Sequence, residues 1–415
     1  MNGILIIGAG LAGLTVAETL RAEGYEGPVT LVGSEAHPPY HRPPLSKGFL
    51  LGDTAEAQLA MRGAEAMAKK NITLKVPEGT QRAGAGATAI DRSARQVTFG
   101  DGSTLPYDGL ALCTGARLRP LPLAGADWQG IFGLRSLDDS RAIKATLETA
   151  QNVVIIGGGF IGLEVAAVAR RKGKHVTVLE AADRLMARVV PPAISQFYLD
   201  LHGSQGVDIV LDALVSELAG RDGCVAAVRT KDGREFPADL VLVGIGVMAN
   251  AELAQAAGLD VEGGIVVDAC SRTSDPAVFA AGDCTVRRLD DGSLRRLESV
   301  QNAMEQAKSA AAALLGRERP FTATPWFWSD QYDVKLQMAG LSAGFDSAVM
   351  RGATDLTAAS RKLSVYYYKA GRLIAIDSLN QSADHLTGRK LLDKGISPTP
   401  EQAADISFDL NGLLV

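Results

Sequence analysis

Two glycine-rich turns with the spacing G-x-G-x-x-G constrain this 415-residue chain more than any other feature. The first spans residues 8–13 and the second spans residues 157–162. Each turn follows an apolar run typical of a buried strand and opens a helical pattern, which is the setting in which this motif binds a dinucleotide. Two such units in one chain predict two bound dinucleotides, and hence electron transfer between them.

The three glycines of each turn have separate physical tasks. The first permits a tight strand-to-helix turn, the second lets the backbone approach a pyrophosphate, and the third lets helix and strand pack closely. The helix N-terminus then offers free N–H groups and a partial positive charge to the phosphates. The predicted phosphate-binding residues are therefore Gly8, Gly10, Leu11, Ala12 and Gly13 in the first turn, and Gly157, Gly159, Phe160, Ile161 and Gly162 in the second.

An acidic residue at the end of the next strand should bind the ribose hydroxyls of each dinucleotide. In the second unit this residue is Glu180, which follows the strand-like segment 175–179. Because a carboxylate accepts a hydrogen bond from a 2′-hydroxyl but repels a 2′-phosphate, Glu180 predicts NADH as the substrate in preference to NADPH. In the first unit the candidates are Ser34 and Glu35, and Glu35 is the predicted ligand.

Composition excludes several other classes of protein. A formal net charge of −5 gives no general basic field for nucleic acid. The four cysteines include no C-x-x-C pair and the five histidines lack metal-ligand spacing, so we expect no metal, disulfide framework or redox dithiol. No apolar run reaches about 18 residues, and the N-terminus enters the first strand almost at once. The expectation is a soluble cytoplasmic protein.

The order of patterns predicts an α/β protein with two Rossmann-like dinucleotide-binding domains and a C-terminal α+β domain. Residues 1–118 read as β-α-β plus an insertion that includes a proline-rich loop at 37–47. Residues 119–248 contain the second turn, and residues 249–322 are predicted to return to the first domain and to include a helix over 299–315. The tail, 323–415, is more aromatic and strand-like.

Taken together, these segments resemble the FAD-dependent pyridine nucleotide-disulfide oxidoreductases with the glutathione-reductase-like fold. More narrowly, they are similar to the ferredoxin reductases of bacterial oxygenase systems. The most specific pieces are R-P-P-L-S-K at 42–47, the second turn extended to Glu164, A-A-G-D at 280–283, E-S-V-Q-N at 298–302 and P-W-F-W-S-D-Q-Y at 325–332. The resemblance implies that the first unit binds FAD, that the second binds NADH, and that the FAD domain is split around the NAD domain.

The resemblance also implies roles for individual residues. Lys47 would lie near the flavin ring, and Glu164 would face the nicotinamide pocket and pair with Lys47, so these two are the predicted catalytic residues. Gly246 is the remaining NAD contact, and the remaining FAD contacts are Ser34, Glu35, Arg42, Ala87, Thr114, Gly115, Arg135, Asp283, Val300 and Trp328.

The implied activity is hydride transfer from NADH to FAD, followed by single-electron transfer to a 2Fe–2S ferredoxin that supplies a cytochrome or Rieske-type oxygenase. Such ferredoxins are acidic, so we expect a local basic and aromatic patch built from Arg62, Lys308, Trp328 and Lys335. Trp328 fits a core aromatic at a domain junction equally well. The expected assembly is a monomer or weak dimer.

Two alternatives stay open from the sequence. One is another enzyme of the same fold, namely an NADH oxidase, a rubredoxin reductase or a monodehydroascorbate reductase. The other is a flavin-holding interaction protein whose assembly changes on reduction. Disulfide reduction is excluded because no dithiol motif follows the first unit.

Overall fold

A computed structural model describes residues 2–77, 86–289, 291–352 and 361–414. The chain divides into two compact units, each assembled from three segments. Unit 1 comprises Met1–His41, Glu56–Arg117 and Val247–Thr322, and unit 2 comprises Arg42–Ala55, Leu118–Gly246 and Ala323–Val415. Among the residues described, no helix is both long and apolar enough to cross a bilayer.

A five-stranded parallel sheet forms the centre of unit 1. Strand Ile4–Ile7 lies between Val29–Val32 and Gly109–Leu112, and the edge strands are Ile72–Lys75 and Val278–Ala280. Because all neighbours are parallel, the carboxyl ends of the strands lie along one edge. The chain moves to opposite sides of Ile4–Ile7, which makes that edge the switch point where α/β sheets bind ligands.

Two long helices pack against each other in unit 1. Leu11–Ala22 begins after the first glycine turn, and Val300–Leu314 begins at Ser299, whose hydroxyl accepts a hydrogen bond from the Asn302 amide at 3.0 Å. Alanines such as Ala307 and Ala310 are fully buried in the core between these helices and the sheet. Their small side chains allow the helices to approach closely.

The remaining elements of unit 1 are short. Three of them form an antiparallel sheet, Ala87–Asp91, Gln96–Phe99 and Thr104–Pro106. The other strands are Ile265–Val267, Thr285–Arg288, Leu294–Arg295 and Val247–Ala249. The strand Ala116–Leu118 begins in unit 1 and ends at the first residue of the next unit 2 segment. The short helices are Glu56–Leu59, Ala64–Ala68 and Glu252–Ala256.

Unit 2 contains a second parallel sheet of five strands with the same kind of switch point. Its order is Val207–Val210, His175–Leu179, Asn152–Ile156, Leu240–Val243 and Ile131–Phe132. A separate antiparallel sheet contains Val215–Arg221, Cys224–Thr230 and Glu235–Pro237. The helices of this part are Leu137–Thr149, Phe160–Arg171 and Pro192–Ser204.

The C-terminal part of unit 2 is an antiparallel sheet covered by helices. The strand order is Trp326–Gln331, Val334–Gly340, Arg372–Leu379, Leu363–Lys369 and Ser347–Gly352. The helices are Ser382–Lys394, Pro400–Ala404 and the 3₁₀ helix Leu410–Leu414. The predicted α+β character of the tail is confirmed.

Part of the segment 37–47 differs from the prediction of a loop. Pro43–Ser46 forms a 3₁₀ helix, so the loop prediction is wrong for these residues, and Gly48–Leu51 forms a short α-helix just beyond the predicted loop. Proline at the first helical positions pre-sets the backbone dihedral φ for a helical turn. The Ser140 hydroxyl donates to the Leu45 carbonyl at 2.7 Å, which helps to attach the segment to unit 2. The division into three domains with the boundaries given above stays a prediction.

Candidate active site

In the first glycine turn, contacts within the protein explain why the outer two positions are glycine, whereas the middle glycine faces open space. Gly8 has φ of +113°, and a Cβ there would lie 2.0 Å from the carbonyl oxygen of Cys113. A Cβ at Gly13 would lie 2.0 Å from the carbonyl oxygen of Gly8. By contrast, a Cβ at Gly10 would meet no atom of the described residues within 4 Å. The backbone therefore requires the outer two glycines, and the middle one borders open space.

The second glycine turn repeats this arrangement. Gly157 has φ of +108°, and a Cβ there would lie 2.6 Å from the Gly244 carbonyl oxygen. A Cβ at Gly162 would lie 2.2 Å from the Gly157 carbonyl oxygen, whereas one at Gly159 would meet nothing within 4 Å in the part of the chain that is described. Both turns thus leave room for a pyrophosphate at a helix N-terminus, and the residues fit a dinucleotide.

Several predicted FAD residues of unit 1 lie close to the carboxyl ends of its parallel strands or to the first glycine turn. Gly282 lies next to the first turn, since a Cβ there would come within 3.1 Å of the Ala12 Cβ. Val300 begins the helix Val300–Leu314 and Ala87 begins the strand Ala87–Asp91. Five predicted residues lie two or three positions beyond the carboxyl ends of parallel strands in this sheet: Ser34, Glu35, Thr114, Gly115 and Asp283.

Two residues that the sequence reasoning missed hold this edge in place. The Thr114 hydroxyl donates to the Asn250 carbonyl oxygen at 2.6 Å, and the Asn250 amide donates to the Thr114 carbonyl oxygen at 2.9 Å. The buried Gln306 side chain accepts the Gly282 N–H at 2.8 Å. A glutamine on the alanine-rich face of a predicted helix was a signal that could have singled out Gln306.

The two candidate ribose ligands of unit 1 have different surroundings. The Glu35 carboxylate accepts the Tyr40 hydroxyl at 2.5 Å and is half-buried, whereas Ser34 is exposed. Glu35 is therefore the better positioned acceptor, because a neighbouring side chain orients its carboxylate.

Glu180 is held at the second glycine turn by backbone donors. Its carboxylate accepts the Gly158 N–H at 2.6 Å and the Ala182 N–H at 2.8 Å. Gly246, the other predicted NAD residue beyond the turn, follows the neighbouring strand Leu240–Val243. Arg184 donates to the Val190 carbonyl oxygen and to the Ser195 hydroxyl at 2.7 and 2.9 Å, so its guanidinium is used inside its own loop.

Glu164 and Lys47 form the ion pair that the sequence predicts. Glu164 lies on helix Phe160–Arg171, two residues after the third glycine, and its side chain is only 2% exposed. Lys47 Nζ lies 2.7 Å from Glu164 Oε2, and the lysine side chain is 20% exposed. A buried carboxylate needs such a counter-ion because leaving the charge unpaired costs several kcal/mol.

Two serines complete the surroundings of Glu164. The Ser46 hydroxyl donates to Oε2 at 2.5 Å, and the Ser329 hydroxyl donates to Oε1 at 2.6 Å. Sequence reasoning did not identify either serine. Both lie inside the motifs that carry the family resemblance, at 42–47 and 325–332, which was the available signal.

The other predicted FAD contacts in unit 2 are positioned by local interactions. Arg42 donates to the Arg135 carbonyl oxygen at 2.7 Å. Trp328 lies on strand Trp326–Gln331, with its ring centroid 5.5 Å from that of Trp326. Arg42, Arg135, Trp328 and Lys47 thus belong to unit 2, and the other predicted FAD residues belong to unit 1.

The candidate partner residues are divided between the units as well. In unit 1, Arg62 pairs with Glu18 at 2.8 Å and Lys308 pairs with Glu305 at 2.6 Å, so a carboxylate offsets each charge. In unit 2, Lys335 is exposed on strand Val334–Gly340. The predicted basic patch stays a prediction.

Buried cysteines next to the unit 1 sheet are unsuited to thiol chemistry. Burial raises the pKa of the Cys113 thiol well above its ordinary value, and burial also raises the pKa of the Cys284 thiol. Cys284 Sγ lies 3.4 Å from the Ala281 carbonyl oxygen, and both cysteines are free of disulfides. Neither side chain is a thiolate at neutral pH.

Comparison with known proteins identifies the family. Residues 2–307 match the family described as pyridine nucleotide-disulphide oxidoreductase, and residues 326–414 match the one described as reductase C-terminal. The chain belongs to the pyridine nucleotide-disulphide oxidoreductase family. The predicted family and fold class are confirmed.

Individual relatives cover nearly the whole chain. Rhodocoxin reductase from Rhodococcus erythropolis is 44% identical over 98% of this chain and 93% of its own length. The crystal structure of the ferredoxin reductase for the CYP199A2 system from Rhodopseudomonas palustris is 43% identical, with a TM-score of 0.94 over 100% of both chains. The crystal structure of a covalent putidaredoxin reductase–putidaredoxin complex is 41% identical, with a TM-score of 0.93 over 99% of this chain and 98% of that one.

Proposed function

We propose that this chain is an NADH-dependent ferredoxin reductase with FAD as its resident cofactor. The observation that carries the proposal is the pair of glycine turns, each bordering open space at its middle glycine. Family membership and relatives that are named as ferredoxin reductases support it. When bound, FAD supplies the chemistry, since it accepts a hydride from NADH and releases the electrons singly to a one-electron carrier.

The residues of unit 1 would hold FAD. The first turn binds the pyrophosphate through backbone N–H groups, Glu35 accepts ribose hydroxyls, and Asp283 accepts hydroxyls of the ribityl chain. The N-terminus of helix Val300–Leu314 contributes a partial positive charge that favours negative charge on the ring. The remaining predicted contacts in unit 1 are Ala87, Thr114 and Gly115. The family resemblance implies further contacts from Arg42, Arg135 and Trp328, which belong to unit 2.

The residues of unit 2 would hold NADH. The second turn binds the pyrophosphate, and Glu180 accepts the ribose 2′-hydroxyl. Arg184 is engaged by Val190 and Ser195, which supports the preference for NADH because this arginine is not free to clamp a 2′-phosphate.

Lys47 and Glu164 would serve the hydride transfer itself. With both cofactors bound, Lys47 would place a positive charge near the reacting rings, and Glu164, 2.7 Å from its ammonium, keeps that charge from being unpaired. No general base is required, because hydride transfer depends on ring placement and on the exclusion of water.

The proposed electron acceptor is a 2Fe–2S ferredoxin of an oxygenase system. The complex of a 41% identical relative with putidaredoxin supports this class of partner. We propose that Arg62, Lys308, Trp328 and Lys335 contribute to the docking surface, where basic groups would attract an acidic ferredoxin.

The test is an NADH-driven cytochrome c assay with FAD-loaded protein and a panel of carriers: 2Fe–2S ferredoxins, 4Fe–4S ferredoxins and rubredoxin. The proposal expects bleaching of the flavin by NADH and turnover with a 2Fe–2S ferredoxin. Rapid NADH consumption in air without any carrier would indicate an oxidase, and turnover with rubredoxin alone would indicate a rubredoxin reductase. Negligible turnover together with a redox-dependent change in mass would indicate an interaction protein.

A further inference from the structure

Ser329 is one end of a buried hydrogen-bonded chain that leads away from Glu164. Gln331 Nε2 donates to Ser329 Oγ at 3.2 Å, and Gln331 Oε1 lies 2.8 Å from His202 Nε2. The Tyr332 hydroxyl lies 3.4 Å from His202 Nδ1. Ser329, Gln331 and His202 are each at most 1% exposed. All of these residues belong to unit 2.

The donors in this chain all point toward Glu164. Ser329 gives its hydroxyl proton to the carboxylate, so its oxygen accepts from the Gln331 amide nitrogen, and the Gln331 oxygen therefore faces His202. His202 Nε2 must then carry the proton, and Nδ1 accepts from Tyr332. Burial lowers the pKa of His202 to about 4, so the ring is neutral at pH 7, as this arrangement requires.

Ordinary core packing does not account for these residues. Ser329 and Gln331 are two residues apart and lie on the same buried face of strand Trp326–Gln331. Apolar side chains at these positions could be buried without a desolvation cost. Buried polar groups cost free energy unless they are hydrogen-bonded, and here they satisfy one another in a line that ends at an ionised group. The P-W-F-W-S-D-Q-Y motif therefore encodes contacts to Glu164 as well as aromatic surface.

This series of hydrogen bonds can orient the Glu164 carboxylate, but it cannot conduct protons. Passing a proton through Gln331 would convert its amide to the imidic acid, which a neutral amide does not do at an appreciable rate. What the chain can do is hold Glu164 Oε1 in place. With Oε1 fixed by Ser329, Oε2 stays directed at Ser46 and Lys47.

We propose that Ser329, Gln331 and His202 are positioning residues that set the orientation of the Glu164 carboxylate and, through it, the place of the Lys47 ammonium. The functional half of this inference rests on the proposed role of Lys47 and Glu164 in reduction by NADH. The structural half, the donor order, does not depend on that role.

The donor order is tested by nitrogen NMR of FAD-loaded protein labelled with ¹⁵N-histidine, with the His202 signals assigned through His202→Gln. At pH 7 the expected state is the neutral ring with the proton on Nε2. In Gln331→Leu the Nε2 proton loses its acceptor, so the proton is expected on Nδ1, where the Tyr332 oxygen can accept it. If the wild-type His202 ring carries its proton on Nδ1, the order of hydrogen-bond donors is reversed and the proposal is overturned.

The positioning role is tested by stopped-flow reduction of the flavin at saturating NADH. Ser329→Ala is expected to lower the rate constant by about tenfold, because small misplacements of reacting groups are costly. Ser329→Thr restores the hydroxyl and should restore most of the rate. Ser378→Ala is the matched control, since Ser378 is a fully buried serine whose hydroxyl oxygen lies 3.2 Å from that of Ser364, away from the hydrogen bonds that lead to Glu164.

A wild-type rate in Ser329→Ala, or no recovery in Ser329→Thr, would contradict the positioning role. If Ser329→Ala does not fold, the His202 tautomer of the wild-type protein decides the donor order. If wild-type protein bleaches with NADH but reduces no ferredoxin, the proposed function fails while both tests here keep their meaning.

Discussion

The two helices that follow the glycine turns start alike and then diverge. Thr15 and Glu164 occupy the same place, two residues after the third glycine. The Thr15 hydroxyl donates to the Leu11 carbonyl oxygen of its own helix at 2.8 Å, whereas Glu164 reaches Ser46, Lys47 and Ser329. The glycine spacing thus specifies the same turn in both units. The residue two positions after the third glycine differs, and only in the second unit does it form an ion pair.

The packing around the two helices shows the same contrast. Helix Leu11–Ala22 lies in a core of apolar and mostly small side chains, including Ala307 and Ala311. Helix Phe160–Arg171 places the Phe160 ring 4.8 Å from Phe327 and buries a carboxylate one turn later. A buried ion pair is a weak source of stability compared with well-packed apolar residues, so its retention in unit 2 points to function.

The largest expected effect comes from the glycines that both turns require. Gly13→Ala and Gly162→Ala would each bring a Cβ within about 2 Å of a backbone oxygen, so each should lower the free energy of unfolding by about 3 kcal/mol or more, or prevent folding. In Gly10→Ala and Gly159→Ala the new methyl group meets open space, so each should lower the free energy of unfolding by less than about 1 kcal/mol. Each should also weaken binding of the cofactor in its own unit. Urea denaturation and titration with FAD or NAD⁺ measure both. Equal destabilisation by outer and middle glycines would contradict the shared geometry.

The next largest effect on stability is expected from breaking the Glu164 ion pair, compared with removing the Thr15 hydroxyl. Lys47→Met leaves a buried carboxylate without its counter-ion and should cost about 2–3 kcal/mol, whereas Thr15→Ala should change stability by less than about 0.5 kcal/mol. The double variant Lys47→Met/Glu164→Leu should recover most of the loss, because no charge is then left unpaired. Chemical denaturation of all three variants checks this. No recovery in the double variant would show that the loss has another origin.

The parts of this site that depend on short-range sequence patterns could be predicted from the sequence. The parts that depend on contacts between residues distant in the sequence could not. The glycine spacing, the strand-end Glu180 and the helix over 299–315 follow from short-range patterns, and each is where it was expected. The donors Ser46 and Ser329 lie more than a hundred residues from Glu164 along the chain, so no local pattern connects them to it. The sequence does not predict the 3₁₀ helix Pro43–Ser46, because a segment of four residues is too short to show a helical periodicity.

Acidic pH should destabilise the surroundings of the second turn through His202. Burial lowers its pKa from 6.5 to about 4, so the unfolded chain binds more protons than the folded one between these values. The stabilising contribution is complete above pH 6.5 and is lost as the pH falls toward 4, by about 3 kcal/mol at most. His202→Gln should lower the slope of unfolding free energy against pH over this window, to which His385 adds a slope of the same sign and Asp377 one of the opposite sign.

The smallest expected effect compares the two strand-end acids. Glu180→Gln should raise kcat/KM for NADPH relative to NADH by about tenfold, because the carboxylate no longer repels a 2′-phosphate. Glu35→Gln should leave this ratio unchanged and weaken only FAD binding. Steady-state kinetics with both nucleotides measures the ratio. A shift in nucleotide preference caused by Glu35→Gln would show that the two acids have been assigned to the wrong cofactors.

The assembly of each unit from three separated segments has a consequence for synthesis on the ribosome. The chain crosses from one unit to the other five times, so no single cut releases either unit intact. The strand that carries Ser329 is made long after the helix that carries Glu164, so the carboxylate lacks one of its donors until the last quarter of the chain emerges. A growing chain that stalls before this point would leave Oε1 of Glu164 without its Ser329 donor, and we expect proteases and chaperones to recognise such an incomplete unit.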